Sequence, residues 1–450
     1  MADQDKIPVY EWHQVLADIL RGRHPATHMY ENLDRVRRQC GDTARVNMVV
    51  VPMVHLFGAD ANAAVLLDRG RLLSAREPWT RIMGGIFPDG LLLMDGERHA
   101  HDRRIIGEAF LPAALDSYGD LISRVIRDWL EELPGSGEII AGYYAFRDLT
   151  FRIAVRLLLG VDGSADLKTW NVAFEDMVTA SMVNIKLNLP FTAYRRGLRG
   201  RALLVKYLQG QVAEKRRRPG EDMFSRLCHV TTPEGDQLSD QQIINHLIFM
   251  MMAAHDTTTS TMSFMARGLA CFPAWQERLR EESLSFGWRP PSFQETQEMS
   301  GINLFLKETL RYYPPISVIP RTTMHEWEWQ GYRIPGGTVV VISPLYTHFM
   351  AEYWSDPLLF DPLRFSPERR EDRRHSHCFI PFGGGHHMCL GRLFAAAQIT
   401  MVFHQLLLNF RLSVPAGTHM PLIQAPIARP ADGLPLRLEY IGQERSRRAG

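Results

Sequence analysis

Residues 382–391 read Phe-Gly-Gly-Gly-His-His-Met-Cys-Leu-Gly, a glycine-rich stretch that ends just after a cysteine. Three consecutive glycines allow the backbone to come close to a flat object, and Gly391 can adopt a φ angle that is costly for other residues. The apolar run from about Leu390 predicts a helix whose N-terminal dipole lies beside the cysteine. We expect this dipole and the nearby backbone N–H groups to lower the pKa of the Cys389 thiol. The stretch therefore offers a metal one thiolate ligand.

This stretch does not have the pattern of a zinc site. Zinc usually takes four ligands, and the nearest other cysteine, Cys378, lies far outside the short spacing of paired zinc cysteines. One soft axial ligand suits haem iron better. The alternative is a tight turn that carries a buried cysteine.

Length and composition indicate one large globular domain. The chain has 450 residues, of which 45% are hydrophobic and 22% charged, and no linker-like or repetitive stretch divides it. A formal net charge of +1 argues against a nucleic-acid-binding protein. The cysteines are scattered and odd in number, which favours a reducing cytoplasm over a disulfide framework. They are Cys40, Cys228, Cys271, Cys378 and Cys389.

The glycine-cysteine stretch resembles a known signature. It matches F-x-x-G-x-[RH]-x-C-x-G, the haem-binding signature of the cytochrome P450 family, with Phe382, Gly385, His387, Cys389 and Gly391 in register. The resemblance implies haem b, iron protoporphyrin IX, as the cofactor. It also implies that Cys389 binds the iron and that Phe382, His387 and Gly391 belong to the cofactor-binding site.

Three further residues resemble the family's ligands for the haem propionates. His99 and Arg103 are spaced i,i+4, so they lie on one face of a predicted helix that runs from 95 to 110, and they match the family's H-x-x-x-R element. Arg321 matches a further propionate ligand. Propionate carboxylates need such donors, because burying them unpaired is costly. The alternative for His99 and Arg103 is a solvated charged face.

A long helix is predicted from about Ser239 to Cys271. Its centre turns from apolar to hydroxylated at residues 253–258, Ala-Ala-His-Asp-Thr-Thr, and mid-helix hydroxyls that bond back to the helix carbonyls can bend it. This segment resembles the family's oxygen-activating [AG]-G-x-[DE]-T-[TS], with Ala254 where glycine is usual. The resemblance makes Asp256 a proton source and Thr257 a hydrogen-bond partner of dioxygen. The alternative is a buried amphipathic helix with hydroxyls satisfied internally.

A third group of residues resembles the family's structural charge cluster. Glu308 and Arg311 are i,i+3 neighbours on a helix stopped by Pro314 and Pro315, and they match E-x-x-R. Arg364 supplies the second arginine of the cluster, which would pin the coil that leads to the cysteine.

Five elements in the family's order identify the chain as a member of the cytochrome P450 family, similar to its soluble bacterial forms. The implied fold is mainly α with a small β-rich lobe, built from a hairpin at 46–57, the 320–345 region and the C-terminal strands. We expect a single domain over 1–450. Its expected parts are a β-rich segment at about 43–60, a helical core at about 95–315, the haem loop at 382–391 and a flexible tail at about 443–450. We also expect a helix at 60–68, an irregular loop at 76–93 and almost wholly helical structure from 115 to 218.

The implied activity is haem-thiolate monooxygenation of a lipophilic substrate with dioxygen. The loops at 83–87, 182–192 and 316–319 are largely apolar, and faint similarity to sterol- and retinoid-oxidising members favours an isoprenoid, steroid or fatty-acid-like substrate. We expect the substrate pocket to include Ile86, Phe87, Phe249, Met252, Ala253, Ile316 and Val318. Alternatives are a peroxide-using peroxygenase, a haem sensor, and a metal-binding module that uses His386, His387 and Cys389.

The resemblance also implies an electron donor. We expect a ferredoxin or flavodoxin with an NAD(P)H-dependent reductase, docking at Arg98, Arg104 and Arg392 on the thiolate side of the haem. Acidic residues before position 20 leave no signal-peptide core, and the longest apolar run, Leu247 to Ala254, is too short to cross a bilayer. We therefore expect no membrane anchor and a cytoplasmic location.

Overall fold

The computed structural model describes residues 6–47, 52–160, 167–183, 185–232 and 234–441. The predicted flexible tail at 443–450 lies outside these residues. The α-helices of the described chain are α1 Trp12–Leu20, α2 Met29–Cys40, α3 Ala59–Leu67, α4 Arg76–Met83, α5 Gly96–Gly107, α6 Pro112–Glu132, α7 Gly142–Ala154, α8 Leu167–Ser181, α9 Ala193–Arg217, α10 Met223–His229, α11 Asp240–Cys271, α12 Pro273–Phe286, α13 Phe293–Glu298, α14 Ser300–Tyr312, α15 Pro344–Thr347 and α16 Arg392–Asn409.

The strands are short and belong to small sheets. They are β1 Val9–Tyr10, β2 Thr43–Val46, β3 Met53–Leu56, β4 Leu73–Ser74, β5 Ile139–Ala141, β6 Ile319–Thr323, β7 Trp327–Trp329, β8 Tyr332–Ile334, β9 Val339–Ile342, β10 Phe410–Ser413, β11 Leu422–Ile423, β12 Arg429–Pro430 and β13 Pro435–Tyr440. The largest sheet has the order β1-β2-β3-β9-β6-β4. The fold is therefore mainly helical with a small β-rich part, which confirms the predicted fold class.

The β-rich lobe agrees with the sequence only in part. Antiparallel β2 and β3 form the predicted hairpin, although its first strand begins at Thr43 and ends at Val46. Residues 48–51 lie outside the described chain. Strands β6 and β9 from the 320–345 region join the same sheet. The C-terminal strands do not, because β10 and β13 pair with β5 in a separate three-stranded sheet. Their partner strand at 139–141 lies in a stretch that the sequence indicated as helical.

The segment 76–93 is more regular than its sequence indicated. It contains α4 and a 3-10 turn at Leu91–Leu93 in place of an irregular loop. The carboxylate of Asp95 accepts the backbone N–H groups of Ala75 and Arg76 at 3.0 and 3.3 Å, so it satisfies the free N–H groups at the start of α4. Because Asp95 lies outside the segment 76–93, the hydrophobic pattern of that segment does not indicate this cap.

Helix α11 has the predicted length because its start is well capped. Ser239 and Gln242 form a reciprocal capping box, and the helix then continues without a break to Cys271. Its mid-helix hydroxyls bond back as expected: Thr257 donates to the carbonyl of Ala253 at 2.8 Å and Thr261 to that of Thr257 at 2.9 Å. These bonds satisfy the hydroxyls internally while the helix stays α-helical throughout.

A buried charge cluster supports the coil that leads to the cysteine. Glu308 accepts two hydrogen bonds from the guanidinium of Arg311, at 2.7 and 2.8 Å, and one from Nε of Arg364 at 3.2 Å. Glu371, which the sequence did not single out, accepts a second bond from Arg364 at 3.0 Å. All four side chains are buried. The two arginines also donate to backbone carbonyls at 355–359, so the cluster ties α14 to this coil.

His348 connects this cluster to the glycine-cysteine stretch. Its Nδ1 lies 3.2 Å from the carbonyl oxygen of Arg311, and its Nε2 accepts the backbone N–H of Ile380 at 3.0 Å. Because Nε2 is the acceptor, the proton is on Nδ1 and the ring is neutral. Burial lowers the pKa of His348 to about 3, helped by the charge of Arg311. A neutral imidazole thus bridges the cluster and the coil just before Phe382.

Candidate functional site: a cavity between the cysteine loop and helix α11

The glycine-cysteine stretch folds as a loop closed by its own backbone. The N–H of Cys389 donates to the carbonyl of Phe382 at 2.9 Å, and α16 begins at Arg392. Gly385 has a φ of +61°, and a Cβ there would overlap the backbone oxygen of Leu66. The glycine therefore permits close packing of the loop on α3. Gly391 has an ordinary φ of −83°, so the expectation of a strained backbone there is wrong.

The surroundings of the Cys389 thiol differ from the sequence-based expectation. Burial raises the pKa of this thiol, and the N–H of Gly391 with the charges of Arg103 and Arg392 offsets the effect only in part. The expected lowering is thus wrong for the protein alone. The side chain faces the cavity described below. A metal cation deprotonates a coordinating thiol outright, so the thiolate would form on ligation.

The predicted propionate ligands come together beside the loop. The rings of His99 and His387 lie 4.0 Å apart between centroids, and Arg103 donates to the carbonyl of Met388 at 2.6 Å. Nε2 of His99 is buried and has no hydrogen-bond partner among the described residues. Arg321 is buried on β6, and its guanidinium donates to the carbonyl of Pro320 at 2.8 Å.

These donors lack an anion. In the described ranges, no carboxylate forms an ion pair with Arg103 or Arg321. Burial lowers the pKa of Arg321 to about 10, against the opposing charges of Asp95 and Asp68. Burial and the neighbouring His387 and Arg103 lower the pKa of His99 to about 4. A buried ring nitrogen without a partner and two guanidinium groups without a carboxylate partner are costly, and the two propionate carboxylates of haem are the groups that this arrangement fits.

A cavity of about 480 Å³ lies between the loop and α11. Cys389 and Phe382 line one wall, and Asp256 and Thr257 line another. Of the predicted pocket residues, Phe249, Met252, Ala253, Ile316 and Val318 line the cavity. The wall is apolar over most of its area, as a site for a lipophilic ligand requires.

The structure does not place Ile86 and Phe87 on this wall. Both are buried in the main hydrophobic core, and Ile82 and Met83 of α4 line the cavity instead. Ile86 and Phe87 lie in the turn after α4, and there both side chains pack into the core. Among the described residues of the 182–192 segment, Met182 alone lines the cavity, and Phe191 is 96% exposed.

Several residues that line the cavity belong to no recognisable sequence motif. Residues 425–427 line the cavity from a C-terminal turn that carries no motif, and Trp79 and Thr150 line it from α4 and α7. Their positions depend on how distant elements pack. Ala254, which stands where the family has glycine, also lines the cavity, so its methyl group takes up space there.

The acid-alcohol pair lies on the cavity side of α11. Asp256 is partly buried, and burial by itself raises the pKa of its carboxyl group. The hydrogen bond and charge of His255, with the charges of Arg147 and Arg429, outweigh burial and leave this pKa below its usual value. Asp256 and Thr257 together can hold and pass a proton at the cavity wall.

One cysteine on a closed loop, imidazole and guanidinium donors for two carboxylates, and an apolar cavity are the features expected of a haem-thiolate site. The cytochrome P450 family model matches residues 8–436, and the chain belongs to the cytochrome P450 family. It is therefore a cytochrome P450 monooxygenase with haem b as its cofactor.

Relatives and solved structures agree with this family. A putative cytochrome P450 136 of Mycobacterium tuberculosis is 35% identical over 407 residues, 88% of this chain and 81% of its own. Cytochrome P450 26B1 of Xenopus tropicalis is 29% identical, over 89% of this chain and 81% of its own. The structure of retinoic acid-bound cyanobacterial CYP120A1 has a TM-score of 0.82 at 25% identity, over 91% and 94% of the two chains. The heme domain of cytochrome P450DA has a TM-score of 0.86 at 21% identity, covering 96% and 97%.

Proposed function

We propose that this enzyme inserts one oxygen atom from dioxygen into an isoprenoid substrate, with a retinoid-like acid as the first candidate. The observation that carries the proposal is the apolar cavity that joins Cys389 to the Asp256–Thr257 pair. The similarity to a structure with bound retinoic acid supports the substrate class. Steroids and fatty acids are the other lipophilic classes that such a wall accommodates.

Different residues of the chain bind the cofactor, hold a proton and exclude water. Bound haem supplies the redox-active iron at which dioxygen is reduced. His99, Arg103 and Arg321 hold its carboxylates, and Cys389 ligates it. Asp256 and Thr257 hold a proton at the opposite wall, and apolar side chains exclude bulk water from the substrate.

We further propose that the electrons come from a separate ferredoxin or flavodoxin, reduced by an NAD(P)H-dependent reductase. Arg98, Arg104 and Arg392 are exposed near the cysteine loop. Arg98 pairs with Asp89 at 2.9 Å and Arg104 with Glu234 at 3.3 Å, whereas Arg392 forms no ion pair within the described residues. Arg392 is thus the strongest candidate for contact with an acidic partner.

A cytoplasmic location is part of the same proposal. The five cysteines are all free, which fits a reducing compartment. Over the described residues, no helix combines the length and apolar character that a bilayer crossing needs.

Peroxide-driven oxygenation is the second candidate, and the Asp256–Thr257 pair on the cavity wall disfavours it. A peroxygenase does not need protons delivered for dioxygen reduction, so the pair would have no function in that case.

A ligand titration tests the proposal. All-trans-retinoic acid, palmitic acid and testosterone are each added to the ferric enzyme, and displacement of axial water is followed by the Soret shift. Retinoic acid is expected to shift the band at the lowest concentration and to give a product heavier by one oxygen atom with NADPH, ferredoxin and reductase. Shifts with only palmitic acid or testosterone would contradict the substrate class. Turnover with hydrogen peroxide alone that equals turnover with the electron donors would contradict the monooxygenase route.

A further inference from the structure

His255 lies between two acceptors at the base of the acid-alcohol pair. Its Nδ1 is 2.9 Å from Oδ1 of Asp256, and its Nε2 is 3.1 Å from the carbonyl oxygen of Arg147 on α7. The ring is 1% exposed and meets the edges of Phe151 and Phe174, with centroid distances of 6.1 and 5.2 Å. A flipped ring would place carbon atoms against both acceptors, so the observed orientation is the one that satisfies them.

The two hydrogen-bond partners of the His255 ring determine which of its nitrogens carry a hydrogen. A carbonyl oxygen can only accept, so Nε2 of His255 carries a hydrogen. In a neutral imidazole Nδ1 is then a lone pair, which would face the carboxylate oxygen of Asp256 at 2.9 Å. That contact is favourable only with a proton between the two atoms. The pair therefore holds one proton more than a neutral histidine beside an ionised aspartate.

With its extra proton the pair is neutral overall, and the charged or titratable groups around it are two arginines and a tyrosine. Arg147 on α7 pairs with Glu175 on α8 at 3.3 Å, so its charge is partly compensated. The charge of Arg429 on β12 also lowers the pKa of Asp256. Tyr143 on α7 is the other titratable neighbour, and burial with the charge of Asp256 raises its pKa, which keeps it neutral. No further acidic side chain forms an ion pair with His255 in the part of the chain that is described.

We propose that His255 is a positioning residue that shares a transferable proton with Asp256 at the cavity wall. The inference deepens the proposed function, on which its catalytic part rests. The single shared proton moves from Nδ1 of His255 to Oδ1 of Asp256, and Asp256 passes it to water beside Thr257. The imidazole is then neutral and keeps its Nε2–H on the carbonyl of Arg147. A proton from bulk solvent, relayed by water that enters the cavity, returns the pair to its starting state.

The protonation state is measured without turnover. Holoenzyme with ¹⁵N-histidine and ¹³C-carboxyl aspartate is studied by NMR at pH 7.5 in the diamagnetic ferrous carbon monoxide form, with signals assigned by His255→Phe and Asp256→Asn. His404 is the internal reference: it is buried, its Nε2 lies 3.1 Å from the carbonyl of Arg289, and its Nδ1 has no partner in the described chain. Burial lowers the pKa of His404, so its ring is singly protonated.

The expected result is a doubly protonated His255, or a neutral His255 beside a protonated Asp256. Asp256→Asn is expected to make His255 singly protonated and to leave His404 unchanged. A neutral His255 beside an ionised Asp256 would overturn the proposal, whether or not the enzyme is active.

A double-mutant cycle tests the catalytic part. His255→Phe and Asp256→Asn are each expected to lower product formed per NADPH by roughly tenfold or more, and the double variant by no more than either alone, since the two residues act as one unit. Independent effects that multiply would overturn the shared-proton role. If the unaltered enzyme forms no oxygenated product while the NMR result is as expected, the proposed function is refuted and the shared proton is not.

Discussion

The imidazole rings of His99 and His387 are in tilted contact, with centroids 4.0 Å apart and an interplanar angle of 32°. His99 belongs to α5, and His387 lies two residues before Cys389 in the closed loop. This contact therefore holds His99, a predicted propionate ligand, against the loop that carries Cys389, the predicted iron ligand. Asp95, at the start of α5, lies 3.7 Å from Nε2 of His387 and strengthens the same junction.

Cys389 is expected to be the iron ligand. Cys389→His should abolish the red-shifted Soret band of the reduced carbon monoxide complex, because no thiolate then faces the cavity. Cys378→Ala is the matched control, since Cys378 is fully buried in a separate cluster with Trp354 and Phe365. The band should persist in that control. Retention of the band in Cys389→His together with its loss in Cys378→Ala would contradict the assignment.

Thr257 is expected to couple electron use to product formation. Thr257→Ala removes a hydroxyl from the cavity wall, so product per NADPH should fall by roughly tenfold or more while hydrogen peroxide release rises. Ser263→Ala removes a hydroxyl with the same back-bond, to the carbonyl of Thr259 at 2.7 Å, away from the cavity. This control should stay coupled. Both ratios come from parallel NADPH, peroxide and product measurements, and equal coupling in both variants would exclude the role of Thr257.

The buried cluster is expected to carry much of the stability near the loop. Arg364→Ala leaves Glu308 and Glu371 as buried carboxylates with one partner fewer, and breaking such a cluster costs about 3–5 kcal/mol. Arg374→Ala is the control, because its partly exposed pair with Glu371 at 3.8 Å is worth about 1 kcal/mol or less. Urea unfolding followed by haem absorbance and tryptophan fluorescence measures both. Similar losses would show that burial of the cluster is not decisive.

His348 is expected to make stability depend on pH. Its pKa is lowered from 6.5 to about 3 in the fold, so the unfolded chain takes up a proton at a higher pH than the folded protein does. The stabilising effect is complete above about pH 6.5 and decreases as the pH falls towards 3. Between pH 6.5 and 5 this contribution falls by about 2 kcal/mol. Unfolding free energies of the unaltered enzyme and His348→Gln at both pH values measure it, and an equal pH dependence in the two proteins would contradict the prediction.

Arg392 is expected to contribute more to electron-donor docking than Arg104. Its charge has no ion-pair partner within the described chain, whereas Glu234 already compensates Arg104. Stopped-flow reduction by a surrogate ferredoxin should therefore slow more in Arg392→Glu than in Arg104→Glu, and the rate should fall with ionic strength. Arg333→Glu on β8, which does not line the cavity, should behave like the unaltered enzyme. A rate that does not depend on salt and is the same in all three variants would remove this face from consideration.

The sequence by itself determined the fold class, the family and the cofactor. Ser239 and Gln242 supply a local capping box, so the start of α11 was predictable to within a residue. The motifs around Cys389, Asp256 and Glu308 identified the family because each is defined by a few residue types at short, fixed spacing. Such a pattern can be read without knowledge of the tertiary structure. The structure brings Cys389 and Asp256 to the wall of one cavity.

Only the tertiary structure decided properties that depend on neighbours distant in the sequence. The raised pKa of Cys389 results from burial, which a local pattern of glycines and a helix start does not report. Glu371 and His348 acquire their roles from contacts with α14 and the coil before the loop. Ile86 and Phe87, in the turn after α4, pack into the main hydrophobic core against residues distant in the sequence. His255 receives a carbonyl from α7 on one side and Asp256 on the other, and only packing of α7 against α11 creates that environment.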